Sequence, residues 1–345
     1  MNTINFLLFI SISLLLVSCQ EDDIVPAQVL PACTVDAGDL VQNNDTTIEH
    51  TCVISINYEP LNRYDYDHPV FNPLNEDEIA FITTDHTANS VISGQEMKRY
   101  DFCSNVVTLI TDDVPLHVDW STKDRIIFKG STTPFSTIKP NGDSLHYIGI
   151  EPAITFRPTW NDAGTAFMYG NNDDNLLLVA DINANILDTI GPMFASESHL
   201  RAWTWDDDRI FLAYSSLGGS PFTTWYGEYI RATGEFELIH TIPNPNGNSL
   251  EQIVEIDYSP SDNRLYWRTD HLIAYHDLTT DEVVHVVEGA DNRRFRHFDI
   301  VEGGNSIVFS RRNLTKIGDC RIEYDQLLYL VDKDGTNERV LTIPE

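Results

Sequence analysis

A chain of 345 residues with 42% hydrophobic content has enough apolar material for a sizeable core, and its length suits two ordinary domains or one ring of repeats. Its 22 Lys and Arg stand against 53 Asp and Glu, a formal net charge of -31, which excludes the basic stripe that a nucleic-acid partner requires. Gly-x-Ser-x-Gly, His-Glu-x-x-His and Gly-x-x-x-x-Gly-Lys do not occur, so the common hydrolase, metallopeptidase and nucleotide-binding signatures are absent.

Residues 1–18 read as an address. The apolar stretch 6–17 has the length of a signal-peptide core and is too short for a membrane span, although the segment before it lacks Lys and Arg. Behind it, Leu16-Val17-Ser18-Cys19 resembles the lipobox of bacterial lipoproteins. That resemblance implies cleavage before Cys19, acylation of Cys19, and membrane attachment through the lipid anchor only. Gln20-Glu21-Asp22-Asp23 resembles the acidic export tag of surface lipoproteins of Bacteroidetes-type bacteria. It implies an outer-membrane, lipid-anchored protein exposed at the cell surface, with the periplasmic face as the alternative, while a plain solvated tether would have the same composition. Residues 19–60 read as this tether, with one strand at 52–57 laid against the domain that follows.

With Cys19 lipidated, Cys33, Cys52, Cys103 and Cys320 remain, an even number in an oxidising compartment. Three pairings are open. One of them, Cys33 with Cys52 and Cys103 with Cys320, would close a loop in the tether and staple the first repeat to the last. The chain has no Cys-x-x-Cys, so zinc and thioredoxin-type chemistry have no support.

From residue 61 to the C-terminus one phrase recurs six times: polar or small residues, an aromatic or apolar anchor, a turn with Asp, Asn or Gly, then a short apolar strand. The anchors are Phe71, Trp120, Trp160, Trp205, Tyr258 and Ile300, spaced 40 to 53 residues apart. Such a period, built from short strands and hairpin turns, predicts an all-β fold: a six-bladed β-propeller of four-stranded antiparallel blades over 61–345, a monomeric ring. The blades are expected at 67–112, 114–150, 153–191, 199–243, 252–289 and from about 297 to the C-terminus. Asn141-Gly142 predicts a type I′ hairpin turn. Insertions are expected at 215–224 and 313–324.

Two stretches resemble the TolB-type propeller repeat: Trp160-Asn161-Asp162-Ala163-Gly164-Thr165-Ala166-Phe167 its inner hairpin, and residues 327–342, with Asp332-Lys333-Asp334-Gly335, its outer one. The resemblance covers residues 67–345 and implies the fold. It implies no single activity, because this repeat serves periplasmic scaffolds, peptidases and lyases alike.

The residues three before each anchor are His68, His117, Arg157, Ala202, Glu255 and His297, with Arg201 one position away. If each anchor sits on an innermost strand, these side chains point to one end of the central channel. Three His, an Arg and a Glu converging there suit a divalent metal, held by His68, His117 and His297, or an anionic ligand. Polar residues lining a water-filled mouth would follow the same pattern. The sequence therefore supports a binding or scaffold module for a protein or glycan partner at the cell envelope. The alternative is a metal-assisted polysaccharide lyase or hydrolase acting on acidic sugars, as the TolB-like oligogalacturonide lyases imply, with Arg157 holding a substrate carboxylate.

Overall fold

In a computed structural model the described residues are 41 and 45–48 and, from 57 to 344, all but 88–93, 131–133, 151–156, 162, 172–175, 192–197, 207–208, 217–221, 245–250 and 319. The segment 1–18 expected to be a signal peptide, Cys19, Cys33 and Cys52 lie outside them. Strand β1 (Asn57–Pro60) precedes six sheets. The first blade is β2 (Tyr64–Asn72), β3 (Asn75–Asp85), β4 (Gln95–Asp101) and β5 (Val106–Thr111). The second is β6 (Pro115–Ser121), β7 (Arg125–Gly130), β8 (Phe135–Ile138) and β9 (His146–Tyr147). The third is β10 (Thr159–Trp160), β11 (Ala166–Asn171), β12 (Leu176–Asp181) and β13 (Ile186–Ile190). The fourth is β14 (Ser198–Trp205), β15 (Ile210–Ser216), β16 (Phe222–Ile230) and β17 (Glu235–Asn244). The fifth is β18 (Glu255–Ser259), β19 (Arg264–Arg268), β20 (Leu272–Asp277) and β21 (Glu282–Glu288). The sixth is β22 (Arg293–Ile300), β23 (Ser306–Gly318), β24 (Arg321–Asp332) and β25 (Arg339–Val340).

Each blade is an antiparallel meander in chain order. The first strands of successive blades touch, and β2 touches β22, so the sheets close into a six-bladed propeller. All six anchors lie on these innermost strands, and each packs into the seam with the preceding blade. Trp120 joins Val70, Ala80 and Ile82 of the first blade; Trp160 joins Ile127 and Phe135 of the second; Phe71 joins Val308, Leu328 and Leu330 of the last. The core is thus six inter-blade layers. Truncating one buried anchor tryptophan to alanine costs about 3–5 kcal/mol.

The turns explain the Asp, Asn or Gly that follows each anchor. In four inner hairpins one turn residue has a left-handed backbone: Asp124 at φ 55, Gly164 at 60, Asn263 at 51 and Gly303 at 70. Those residue types tolerate that region, whereas β-branched side chains resist it. Asn141-Gly142 departs from expectation. Only Gly142 has positive φ, and its N–H donates to the Lys139 carbonyl at 2.9 Å. Pro140 fixes the second turn position at negative φ, which rules out type I′.

The expected insertion at 215–224 is strand at both ends, with 217–221 outside the described residues, and the one at 313–324 is strand apart from the turn at Cys320, with 319 outside the described residues. Ser215 and Ser216 end β15, and residues 222–224 begin β16. Residues 313–324 extend the β23–β24 hairpin beyond the ring, where Leu314, Ile322 and Tyr324 bury against one another. This extension carries β1, which pairs in parallel with β24, Asn57 opposite Arg321 and Pro60 opposite Tyr324. The strand expected at 52–57 is therefore observed at Asn57–Pro60, added to the last blade, with 52–56 outside the described residues.

The staple between Cys103 and Cys320 is corrected. Both cysteines are disulfide-bonded, but they sit at opposite ends of the ring. Cys103 follows β4 at the level of the β2–β3 turn, whereas Cys320 caps the far tip of the β23–β24 hairpin. At about 3.3 Å per residue the two levels are roughly 30 Å apart, and a disulfide needs Cα atoms within about 7 Å. Non-reducing peptide mapping is expected to recover Cys103 and Cys320 in two separate bridges; a single peptide pair containing both would refute this geometry.

Candidate functional site

The innermost strands all start at one face of the ring, here the upper face, and run down the channel wall. Four of them have a register irregularity against their neighbour at the same height: between Asp67 and Val70, Pro115 and His117, Leu200 and Ala202, and Phe295 and His297. Such bulges re-aim side chains near functional sites. In the first blade the irregularity puts His68 at φ 47, immediately before Pro69, a backbone that costs an ordinary residue on the order of 1 kcal/mol or more. In the fourth and sixth blades the extra residues are Arg201 and Arg296.

The structure brings His68, His117, Arg157, Glu255 and His297 together. His68 Nε2 lies 3.1 Å from His117 Nδ1, and the His68 and His297 rings stack. Arg157 pairs with Glu255 and lies 3.9 Å from Asp299. Glu255 also accepts from Arg268 Nε at 2.8 Å and from the Phe298 N–H at 3.1 Å, so its carboxylate is fully engaged. Ala202, the sixth register position, lines the same mouth, a shallow depression bordered by His117, Arg157, Arg201, Trp203, Glu255 and His297.

One participant was not legible at the register position. Asp67 accepts from Ser310 Oγ at 2.6 Å and lies 3.7 Å from His68 Nδ1 and 3.9 Å from His297 Nε2. Asp67, His68 and His297 can each present a ligand atom within 4.8 Å of the others, the spacing of a metal site. His117 contacts this trio through His68. Nδ1 of His68 and Nδ1 of His297 are buried and make no hydrogen bond. Burial pushes the pKa of His68 and of His297 well below the ordinary imidazole value, and that of His117 down to about 4 with help from Arg157 and Lys129. Burial opposes ionisation of Asp67, but His297, His68, Arg296 and the Ser310 bond outweigh it and hold the carboxyl below its ordinary range. Coordination requires a carboxylate among neutral imidazoles; burial favours the neutral form of His68 and His297, while Arg296 and the Ser310 bond favour the ionised form of Asp67.

Below this layer, the residue before the anchor is an aspartate in three blades. Asp119 accepts the Trp160 N–H of the next blade at 2.6 Å, Asp299 accepts the Phe71 N–H across the closing seam at 2.7 Å, and Asp257 accepts from Thr204 Oγ1 at 3.2 Å. Burial raises all three, Asp119 to about 7, against the lowering pull of Arg157. The channel is thus cationic and imidazole-rich above and carboxyl-lined below. Elsewhere, fully buried His276 joins the Tyr226 hydroxyl and Asp281, each at 2.9 Å, across the seam between the fourth and fifth blades. No sequence motif marked that bridge.

No family model and no curated protein matches the chain. Among solved structures, TolB from Acinetobacter baumannii is 11% identical with a TM-score of 0.51, covering 81% of this chain and 63% of that one. A putative TolB from Agrobacterium tumefaciens gives 11% and 0.50, with 69% and 85% covered, and a nidogen/laminin complex gives 7% and 0.51, with 81% and 93% covered. The likeness is one of fold: a TolB-like β-propeller. This chain spans less than two thirds of the length of the Acinetobacter protein.

A raised carboxyl pKa has a fixed consequence for stability. Folded Asp257 keeps a proton that the unfolded chain releases above the ordinary value of 3.8, so its contribution to stability falls as pH rises beyond that value. Asp257→Asn keeps an acceptor for Thr204 and removes the titration. The variant is expected to gain stability relative to wild type as pH rises from 4 to 7, read by urea denaturation; a constant difference across that range would contradict the assignment.

Proposed function

We propose that this protein is a cell-envelope lipoprotein, anchored through Cys19, whose propeller is a binding or scaffold module for a protein or glycan partner. The observation that supports this most is the convergence of five polar side chains and Arg201 on one mouth of a rigid ring. Each innermost strand is held by an inter-blade core, so the mouth is presented without reorganisation on binding. TolB and nidogen carry the same fold, and nidogen is seen in a complex with laminin, which agrees with a binding role. A photo-crosslinker at Val254, on the rim of the mouth, is expected to capture a specific envelope partner in cells, while the same group at exposed Leu74, in the β2–β3 turn on the opposite face, captures none. Cys19→Ser should abolish the Val254 product and move the protein from the membrane to the soluble fraction. Equal labelling from both sites, or from neither, would overturn the binding reading.

A second reading, a metal-assisted lyase or hydrolase, is favoured by one observation: the metal-compatible spacing of Asp67, His68 and His297, with two ring nitrogens lacking a hydrogen bond. A bound divalent ion would supply Lewis-acid polarisation; the chain's own part would be to hold it with neutral imidazoles and to position an acidic group by Arg157. After dialysis against a weak chelator, a stoichiometric transition metal lost in His68→Ala and in His297→Ala would promote this reading. Metal retained in both variants would remove these residues as ligands.

A further inference from the structure

The cations around the upper mouth differ in what they face. Arg157 pairs with Glu255, and Arg268 is held by Glu255 and the Phe295 carbonyl. Arg201 is different. As the extra residue of the β14 bulge it is turned towards the mouth, half-buried, and its Nε donates to Ser215 Oγ at 2.6 Å. Among the described residues no carboxylate lies within ion-pair distance of it, in a chain with 53 acidic side chains. Burial lowers its pKa, with no carboxylate to offset the loss of solvent. A guanidinium desolvated without a counter-ion is costly unless an anion reaches it.

The geometry around Arg201 limits what that anion can be. Ser215 engages one edge of the guanidinium through Nε, which fixes the plane of the fork and leaves the two terminal nitrogens for a planar, two-oxygen acceptor. The adjoining wall is apolar: Ala202, Trp203, Val254 and Ile256 line the same depression. The single carboxylate there, Glu255, is saturated by Arg157, Arg268 and the Phe298 N–H, so it neither neutralises Arg201 nor is free to bind a cation.

We propose that the upper mouth binds a monocarboxylate carrying an apolar group, with Arg201 as the bidentate anchor oriented by Ser215 and the Trp203–Val254–Ile256 wall receiving the apolar group. This deepens the binding-module reading by naming the ligand chemistry of the same site, and it needs neither the metal nor the lipid anchor. The apolar wall favours an acid with a hydrophobic flank, such as the carboxyl end of a peptide, over a hydroxyl-covered sugar acid.

The test uses calorimetric titration of the protein with three probes: N-acetylphenylalanine, its neutral amide, and galacturonic acid. The free acid is expected to bind at least tenfold more tightly than the amide and than galacturonic acid. Arg201→Gln is expected to lose at least tenfold for the acid and little for the amide, and Ser215→Ala a smaller factor in the same direction. Acid and amide binding equally, or none of the three binding, would overturn the proposal, and so would galacturonic acid binding best, which would point to an acidic glycan. The acid–amide comparison is made on the unaltered protein, so it stands even if a variant folds poorly. Loss of Val254 crosslinking in cells with acid binding intact would remove the partner reading and leave this site; the reverse pattern would remove this site alone.

Discussion

Ring closure depends on a carboxyl group that accepts a backbone N–H from another blade. The four strands of each blade come from consecutive sequence, and among the described residues β1, at the outer end of the last blade, is an added strand that does not span its height. The seam between the last and first blades instead relies on Asp299 accepting the Phe71 N–H, on Asp67 bonded to Ser310, on Gln326 Nε2 donating to the Tyr66 carbonyl, and on the Phe71 apolar layer. Asp119 repeats the first of these bonds between the second and third blades. A net hydrogen bond contributes only about 1 kcal/mol, but a buried N–H left unpaired costs about 1–3 kcal/mol. The carboxyls are therefore specificity devices more than sources of stability.

The same groups set up an electrical asymmetry. Three buried carboxyls face the channel below and share one nearby guanidinium, Arg157, which also serves Glu255 above. Arg157 thus links the two layers: its attraction limits how far burial lifts the aspartates, and its positive field helps keep His117 neutral. The ring-closing layer and the candidate binding layer consequently share one electrostatic environment and do not respond independently to charge changes at the mouth.

The fold was legible because a propeller imposes the same constraint six times. An anchor must fill each seam and a turn residue must accept a left-handed backbone, so Trp120 with Asp124, or Trp160 with Gly164, can be read from spacing and residue type. The site was legible because three residues before an anchor falls at the same height in every blade, even in the irregular stretch that holds His68, which found His68, His117, Arg157, Glu255 and His297. It was illegible one residue away from that register. Asp67 and Arg296 lie one residue off the register, and Arg201 was visible only as a near miss; nothing in an ordinary side chain announces that a strand will take up an extra residue there. The extended β23–β24 hairpin was hidden for another reason. Its apolar positions are few, and they bury against one another and against Ile48, which lies ahead of the repeats.

The parallel pairing of β1 with β24 has a mechanical consequence. β1 runs alongside β24, flanked by bonds from Asn57 N–H to the Cys320 carbonyl and from Leu61 N–H to the Tyr324 carbonyl, and upstream of it the Val41 N–H donates to the Glu338 carbonyl, the Thr46 N–H to Asn292 Oδ1, and Asp45 pairs with Arg293. With the Arg321–Glu59 ion pair, all of these attachments fall on the last blade. They therefore act as a strain relief: a pull on the leading segment is taken up by the last blade, and the first blade, with its strained His68, keeps its geometry.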